Sequence, residues 1–283
     1  MGLLDGKIAV VTGSTKGIGR GIALVLAREG AKVIINHRGS HGTKTPASDI
    51  EETVAMMEKI GGYRPYVIEA DCTNEADVEN LALTAIKNYG KVDIWVNNVG
   101  SHIVTPALPQ SKENWEQLFS INTTSCFLGC REAAKVMKNS NGGSIINISS
   151  KMGLVGSAEN ACYCSSKAAV VMMTHCLAAE WAGLNIRVNG VAPGVTLTDP
   201  TFKLVEGKPA LEAALHYRTP MGRFAYPEEI GNTVVFLASD LSSYITGETI
   251  ICDGGWIAHS DFAGIPINKL DDWTSEFPKI KKE

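Results

Sequence analysis

Short apolar runs punctuate the chain: KIAVVT (7–12), KVIIN (32–36), YVIEA (66–70), DIWVNN (93–98), SIINIS (144–149), IRVNGVAP (186–193) and ETIIC (248–252). Val and Ile stand on consecutive positions rather than alternate ones, which predicts strands buried on both faces. Between the runs, apolar positions recur at helical spacing over 17–29, 47–60, 74–89, 112–138, 161–182 and 227–238. Seven strands separated by helices of that length predict a parallel sheet with right-handed crossovers and helices on both faces. No linker or internal repeat divides the chain, so residues 1–255 read as a single doubly wound α/β domain.

Three segments depart from this rhythm. RGSHGTKTPAS (38–48) is polar and rich in Gly, Pro, Ser and Thr, and suits a loop at the rim of a ligand site. Residues 199–224 hold helical stretches broken by Gly207, Pro209 and Pro220. They predict two short helices after the sixth strand, a small helical lid over a substrate pocket. The C-terminal extension, 256–283, carries Trp256, Phe262, Trp273 and Phe277 among charges, and aromatics so spaced predict docking at a subunit interface.

With 283 residues and 45% hydrophobic content, the chain can bury a sizeable core. A net charge of −4 leaves no general basic field, and the one basic run, Lys279 with Lys281 and Lys282, is terminal; nucleic acid is not an expected partner. The first apolar run is too short for a signal-peptide core or a membrane span. Gly6 stands where a myristoylation signal needs Ser or Thr. A cytoplasmic protein without membrane attachment is therefore expected. Cysteines 72, 126, 130, 162, 164, 176 and 252 lack zinc-ligand spacing and predict reduced, mostly buried thiols.

The first strand is followed by TGSTKGIG (12–19), which runs straight into a helix. Gly13, Gly17 and Gly19 let the backbone of Ser14, Thr15, Lys16 and Ile18 approach a diphosphate, whose charge the helix N-terminus favours. That placement predicts dinucleotide binding. The second strand ends in Asn36, His37 and Arg38, with no carboxylate to hold a free ribose 2′-hydroxyl. Arg38 can pair with a 2′-phosphate and Lys16 can approach it from the other side, so NADP(H) is expected over NAD(H).

ENACYCSSKAA (159–169) admits a thiol reading and a proton-transfer reading. Cys162 and Cys164 would point about 200° apart on a helix, and no His or Asp cluster completes a site, so no metal is expected. Tyr163 and Lys167, four apart, would share a helix face and set a phenol beside an ammonium.

In order along the chain, TGSTKGIG, Asp71 after the third strand, NNVG (97–100), Asn122 in SINTTS, INISS (146–150), YCSSK (163–167), Pro193 with Gly194, and GETIICDGGW (247–256) resemble the motifs of the short-chain dehydrogenase/reductase family. The resemblance points to the branch that includes β-ketoacyl-carrier-protein reductases and bacterial glucose dehydrogenases, and covers about residues 5–256. It implies a Rossmann-like fold and a catalytic tetrad of Asn122, Ser150, Tyr163 and Lys167, family spacing selecting Ser150 over Ser149. It also implies cofactor contacts from Asp71 and Cys72 at the adenine end, and from Asn98, Val99, Gly100, Tyr163, Lys167, Pro193, Gly194, Thr196 and Thr198. Asn98 would brace the central strands. Val99 and Thr196 stand where the family usually has Ala and Ile or Val, at positions whose contacts come from the backbone.

Hydride exchange between a nicotinamide and an alcohol needs a partner for the hydroxyl proton. A phenol has an ordinary pKa of about 10, and a nearby cation such as Lys167 or an oxidised nicotinamide favours the phenolate. Ser150 would hold the substrate oxygen. The resemblance further implies that Lys167 binds ribose and that Asn122 holds a relay water. An NADP(H)-dependent oxidoreductase acting on a ketone or secondary alcohol is the expected function. Met152, Leu154, Val155, Phe202, Leu204 and Tyr217 form a mostly apolar candidate lining that favours a hydrophobic ketone; a sugar, polyol or 3-oxoacyl thioester is the alternative. A dinucleotide-sensing protein without turnover is the alternative of another class, and the complete tetrad argues against it. The resemblance implies a homotetramer in which helices 112–138 and 161–182 pack against their copies.

Overall fold

The structure, a computed structural model, describes residues 2–39, 45–209, 212, 215 and 218–258. All seven strands form: β1 (Ile8–Val11), β2 (Lys32–His37), β3 (Tyr66–Glu69), β4 (Ile94–Asn97), β5 (Gly143–Ile148), β6 (Ile186–Pro193) and β7 (Thr249–Cys252). They pair in parallel, in the order β3-β2-β1-β4-β5-β6-β7. The order reverses between β1 and β4, and the crevice beyond the carboxyl ends of such strands is where an open α/β sheet binds ligands.

Consecutive apolar residues in each strand serve two cores. On β1, Ala9 and Val11 face the layer of α1 (Gly17–Arg28) and, farther along the chain, helix Pro227–Ala238; Ile8 and Val10 face the opposite layer. On β4, Ile94 and Val96 take the first side and Trp95 the second. That second side is covered by α3 (Glu75–Tyr89) and two later helices, α5 (Ser125–Met137) and α6 (Ala161–Trp181). Among the described residues, the remaining helices are α2 (Ala47–Gly61), α4 (Lys112–Phe119), α7 (Asp199–Val205) and α8 (Pro227–Ala238). Asn74 caps α3, accepting from Asp77 N at 3.1 Å, and Gly62 and Gly90, both at positive φ, end α2 and α3.

Helices α1 and α8 approach closely because glycines face each other. A Cβ on Gly21 would run into the backbone and ring of Pro227, and one on Gly231 would lie 3.1 Å from the Gly21 carbonyl. Gly21→Val is expected to cost about 1–3 kcal/mol by overpacking and to lower Tm by roughly 2–10 °C. A thermal melt checks this, and an unchanged midpoint would show that α8 yields freely.

The helix expected over 112–138 is interrupted. Helix α4 passes into a π turn, Ser120–Thr124, before α5 resumes. The cause is tertiary: Asn122, inside that turn, donates from Nδ2 to Ser101 O (3.0 Å) and Ser166 Oγ (2.9 Å) and accepts from Ser101 N (2.7 Å). Widened turns of this kind occur at functional sites.

The polar loop bonds back on itself through Thr45 Oγ1 and Arg38 O (3.0 Å), while 40–44 lie outside the described residues. Of the expected lid, α7 is described, with Gly207 (φ +69°) beyond it. A groove of about 530 Å³ runs along α7, lined by Phe202, Val205 and Pro209 with Asp199, Lys203 and Glu206. The second lid helix falls mostly outside the described residues, as do Tyr217, Phe262, Trp273 and Phe277. Among the described residues, no helix is long and apolar enough to cross a membrane.

Candidate active site

The turn after β1 leaves room for a ligand to touch backbone. Gly13 (φ +60°) and Gly17 (φ +53°) are left-handed, and a Cβ on Gly19 would overlap the Gly13 carbonyl and Asn98 Nδ2. Asn98 donates from Nδ2 to Thr12 O (2.9 Å) and Gly13 O (3.1 Å), while Thr12 Oγ1 accepts from the amides of Asn98 (2.9 Å) and Val99 (3.3 Å). Asn98 therefore ties the turn to the end of β4. Ser14 and Thr15 are buried, and Ser14 Oγ donates to Val11 O at 2.8 Å, so Ser14 is left to offer a ligand its backbone. Exposed Lys16 is the N-cap residue of α1, which has no side-chain cap and no acidic residue in its first turn. The amides beginning at Gly17, Ile18 and Gly19 are thus free of capping side chains and fit an anion such as a diphosphate.

Asn36 braces the far side of that turn. Its Oδ1 accepts from Gly13 N (3.1 Å) and its Nδ2 donates to Ala70 O (3.1 Å) beyond β3. Cys72 lies behind it, Sγ 3.4 Å from Asn36 Oδ1, and burial pushes its thiol up to about 12. Only the Cys72 backbone is left to face a cofactor. Asp71 Oδ1 accepts from Thr73 N (2.9 Å) and Thr73 Oγ1 (2.7 Å), which fixes the loop after β3. Arg38 is exposed at the end of β2. Although no carboxylate follows β2 in sequence, β3 brings one close in space: the Glu69 side chain packs on Gly39.

The four residues of the expected tetrad come together at the ends of β4 and β5. Ser149 Oγ donates to Lys167 O (2.9 Å), a structural tie to α6, whereas Ser150 Oγ accepts from Met152 N (3.1 Å) at the head of the 3-10 turn Lys151–Gly153. The two serines separate as strand alternation requires. Burial raises the Tyr163 phenol above its ordinary value, and its interaction with the Ser150 hydroxyl works the other way. Lys167 is buried, and desolvation lowers its ammonium to about 8. Its Nζ donates to Ile148 O (2.9 Å) rather than to the phenol. The helical spacing of four thus sets Lys167 beside Tyr163 without closing a bond between them. A Cβ on exposed Gly100 would lie 3.2 Å from Lys167 Nζ and 3.3 Å from Asn122 Oδ1, so this glycine leaves open a cradle bordered by both groups.

Pro193 ends β6, and Gly194 N donates to Cys252 O (2.9 Å). The Thr196 carbonyl accepts from Thr201 Oγ1 (2.7 Å), and Thr198 Oγ1 lies 3.2 Å from the same hydroxyl. The Thr198 methyl stands 3.4 Å from where a Gly17 Cβ would be, so the start of α7 borders the glycine turn. Cys162 is buried with Sγ 3.7 Å from Trp115 O, while Cys164 is half-buried. Among the described residues, no group of three His, Cys, Asp or Glu side chains could hold a metal.

Sequence reasoning missed several neighbours. Ser101 and Ser166 hold Asn122, and His102 lies with its ring centre 4.3 Å from that of Tyr163. Asn160 Nδ2 donates to Ala158 O (2.8 Å), which leaves Oδ1 to accept from His102 Nε2 at 2.6 Å and sets the imidazole tautomer. The short gap from Asn160 to Tyr163 was the available signal; nothing local marks His102.

Known proteins resemble this chain over most of its length. The model of a family described as enoyl-(acyl carrier protein) reductase matches residues 13–257. The 3-oxoacyl-[acyl-carrier-protein] reductase of Thermotoga maritima is 37% identical over 254 residues, 90% of this chain and 99% of that protein. The 3beta-hydroxysteroid dehydrogenase 1 of Eggerthella lenta is 37% identical over 260 residues, 92% of this chain and 97% of that protein. A short-chain type dehydrogenase/reductase from Mycobacterium marinum superposes with a TM-score of 0.82 at 33% identity, covering 90% of this chain and 97% of that one. Relatives of equal identity thus act on different substrates, while family and reaction class are common to them. The chain belongs to the short-chain dehydrogenase/reductase family, as an NAD(P)-dependent oxidoreductase acting on CH–OH and C=O groups.

Proposed function

We propose that the protein moves a hydride between NADP(H) and a hydrophobic ketone or the corresponding secondary alcohol, with Tyr163 exchanging the proton. The observation that carries this reading is the convergence of Ser150, Tyr163, Lys167 and Asn122 beside the open face of Gly100. A bound nicotinamide dinucleotide would supply or take the hydride. Ser150 Oγ orients the substrate oxygen, and Tyr163 gives or takes the proton at that atom. Lys167 holds the ribose and lends its charge, and Asn122, fixed by Ser101 and Ser166, positions a relay water. Exposed Phe202 and Leu204 on α7, with half-buried Met152 and Val155, support an apolar substrate. A panel of ketones and secondary alcohols, followed by NADPH absorbance, separates such ketones from polyols and 3-oxoacyl thioesters. Turnover of none of them would favour a dinucleotide-sensing protein.

The preference for NADP(H) is supported by Lys16 and Arg38, both exposed at the cofactor end of the sheet. Loss of a charge-assisted bond to a 2′-phosphate costs about 1.5–3 kcal/mol. Arg38→Leu is therefore expected to lower kcat/KM for NADPH about 10- to 100-fold and that for NADH less than about threefold. A wild-type preference for NADH would overturn the assignment. We also propose a homotetramer packed through α5 and α6, supported by exposed Phe127 and Met172 on those helices.

A further inference from the structure

Lys151 follows Ser150 directly and is only 5% exposed. A lysine at such depth ordinarily ends on a carboxylate or on carbonyl oxygens. Among the described residues, neither a hydrogen bond nor an ion pair reaches its Nζ; the ammonium instead lies 3.7 Å from the ring centre of Trp256. The Arg218 guanidinium sits 4.8 Å from the same ring. One carboxylate, Asp253, acts on Lys151 electrostatically, but backbone amides already occupy it. Its Oδ1 accepts from Gly255 N (2.9 Å) and Trp256 N (3.1 Å), and its Oδ2 from Ile257 N (2.8 Å). Burial lowers the Lys151 ammonium to about 8, Asp253 opposes that change and Arg218 adds to it.

Buried Lys151 and exposed Arg218 therefore meet over one indole, and the carboxylate that acts on Lys151 is held by backbone amides rather than by an ion pair. A largely buried ammonium with no direct ion pair is costly by itself, and its position next to Ser150 in the chain gives it a use. The cluster is continuous with the site. Gly194, at the end of β6, lies against Asp253, where a Cβ would be 2.7 Å from the Asp253 Cα. Met221 N donates to Gly254 O (3.1 Å), which joins the segment carrying Arg218 to the same wall.

We propose that Lys151 and Arg218, both stacked on Trp256, bind a carboxylate of the substrate, so that the reacting compound is an oxo acid or the corresponding hydroxy acid. This rests on the oxidoreductase reading of the site and narrows its substrate class. The indole holds both long side chains in place and keeps water from one flank. The cations fix the acid end of the molecule while Ser150 receives the carbonyl end.

Titration calorimetry on the enzyme loaded with NADP⁺ tests this without turnover, using 5-oxohexanoate and 7-oxooctanoate against their methyl esters. At least one acid is expected to bind about tenfold or more tightly than its ester, with the difference shrinking as salt is added. Lys151→Met and Arg218→Met should each remove most of that difference while leaving ester affinity within about twofold, the two variants guarding against a fold lost in one. Equal affinity for acids and esters, binding of neither, or a difference that survives both substitutions would overturn the proposal. The oxidoreductase reading is scored separately by NADPH consumption: acid binding without turnover of any ketone would remove that reading and leave the anion site standing.

Discussion

Tyr163→Phe is expected to lower kcat by about 100- to 10,000-fold, the range that a positioned acid–base group supplies, with the cofactor Kd unchanged within about threefold. The substitution keeps the ring that lies tilted against His102 and removes only the hydroxyl that interacts with Ser150. Packing is thereby preserved, and the loss reports on proton transfer. Single-turnover kinetics with any accepted ketone, beside a cofactor titration, measure both quantities. Retained turnover would defeat the mechanism outright, because the neighbouring buried hydroxyl, Ser149, is committed to Lys167 O.

Lys167→Met is expected to separate function from stability. The folded protein holds the Lys167 ammonium at about 8, below its ordinary range, because burial disfavours the charge. A depressed lysine is neutral above that value, and its stabilising effect fades as pH falls and the buried amine takes up a proton. At pH 7 the residue is charged at a penalty on the order of a few kcal/mol. Removing it should therefore hold or raise Tm near pH 7 while lowering kcat/KM about 100-fold, through loss of positioning at Gly100 and of the charge that favours phenolate. In the wild type, ketone reduction should decline as pH rises through about 8 and Lys167 loses its proton; in the variant that decline should disappear. A variant with lower Tm and an unaltered pH profile would make Lys167 a structural residue.

The sheet and its covering helices were legible because strand residues such as Ala9, Val10 and Val11 must satisfy two cores at once, leaving no polar alternation. The glycine turn was legible for a similar reason: Gly13 and Gly17 need positive φ, and Gly19 has no room for a Cβ. The interruption at Ser120–Thr124 was not, since neither Gly nor Pro marks it and its cause lies in Ser101 and Ser166, distant along the chain. Helical spacing put Tyr163 and Lys167 one turn apart on α6, yet that spacing could not reveal that Nζ turns to Ile148. Likewise, the end of β2 looked free of carboxylates because Glu69 arrives from a neighbouring strand. Lys151 was unremarkable in the sequence, where a lysine after a strand usually reaches solvent; its burial depends on Trp256 folding back from the other end of the chain.

The widened turn between α4 and α5 also separates the phase of a core helix from the aim of a site residue. A π turn holds one residue more than the regular ladder needs, and each residue of a helix advances the chain by about 100°. Deleting one residue between Ser120 and Thr124 would let ordinary hydrogen bonds close, and total helicity would barely fall. Closing the turn would leave α5 in phase, with Cys130, Ala133 and Met137 still facing the sheet they cover, but would take Asn122 from Ser101 and Ser166. A single inserted residue thus sets the aim of a site residue without changing the phase of the core helix that follows. A frame-preserving deletion there would spare the fold and strip the site.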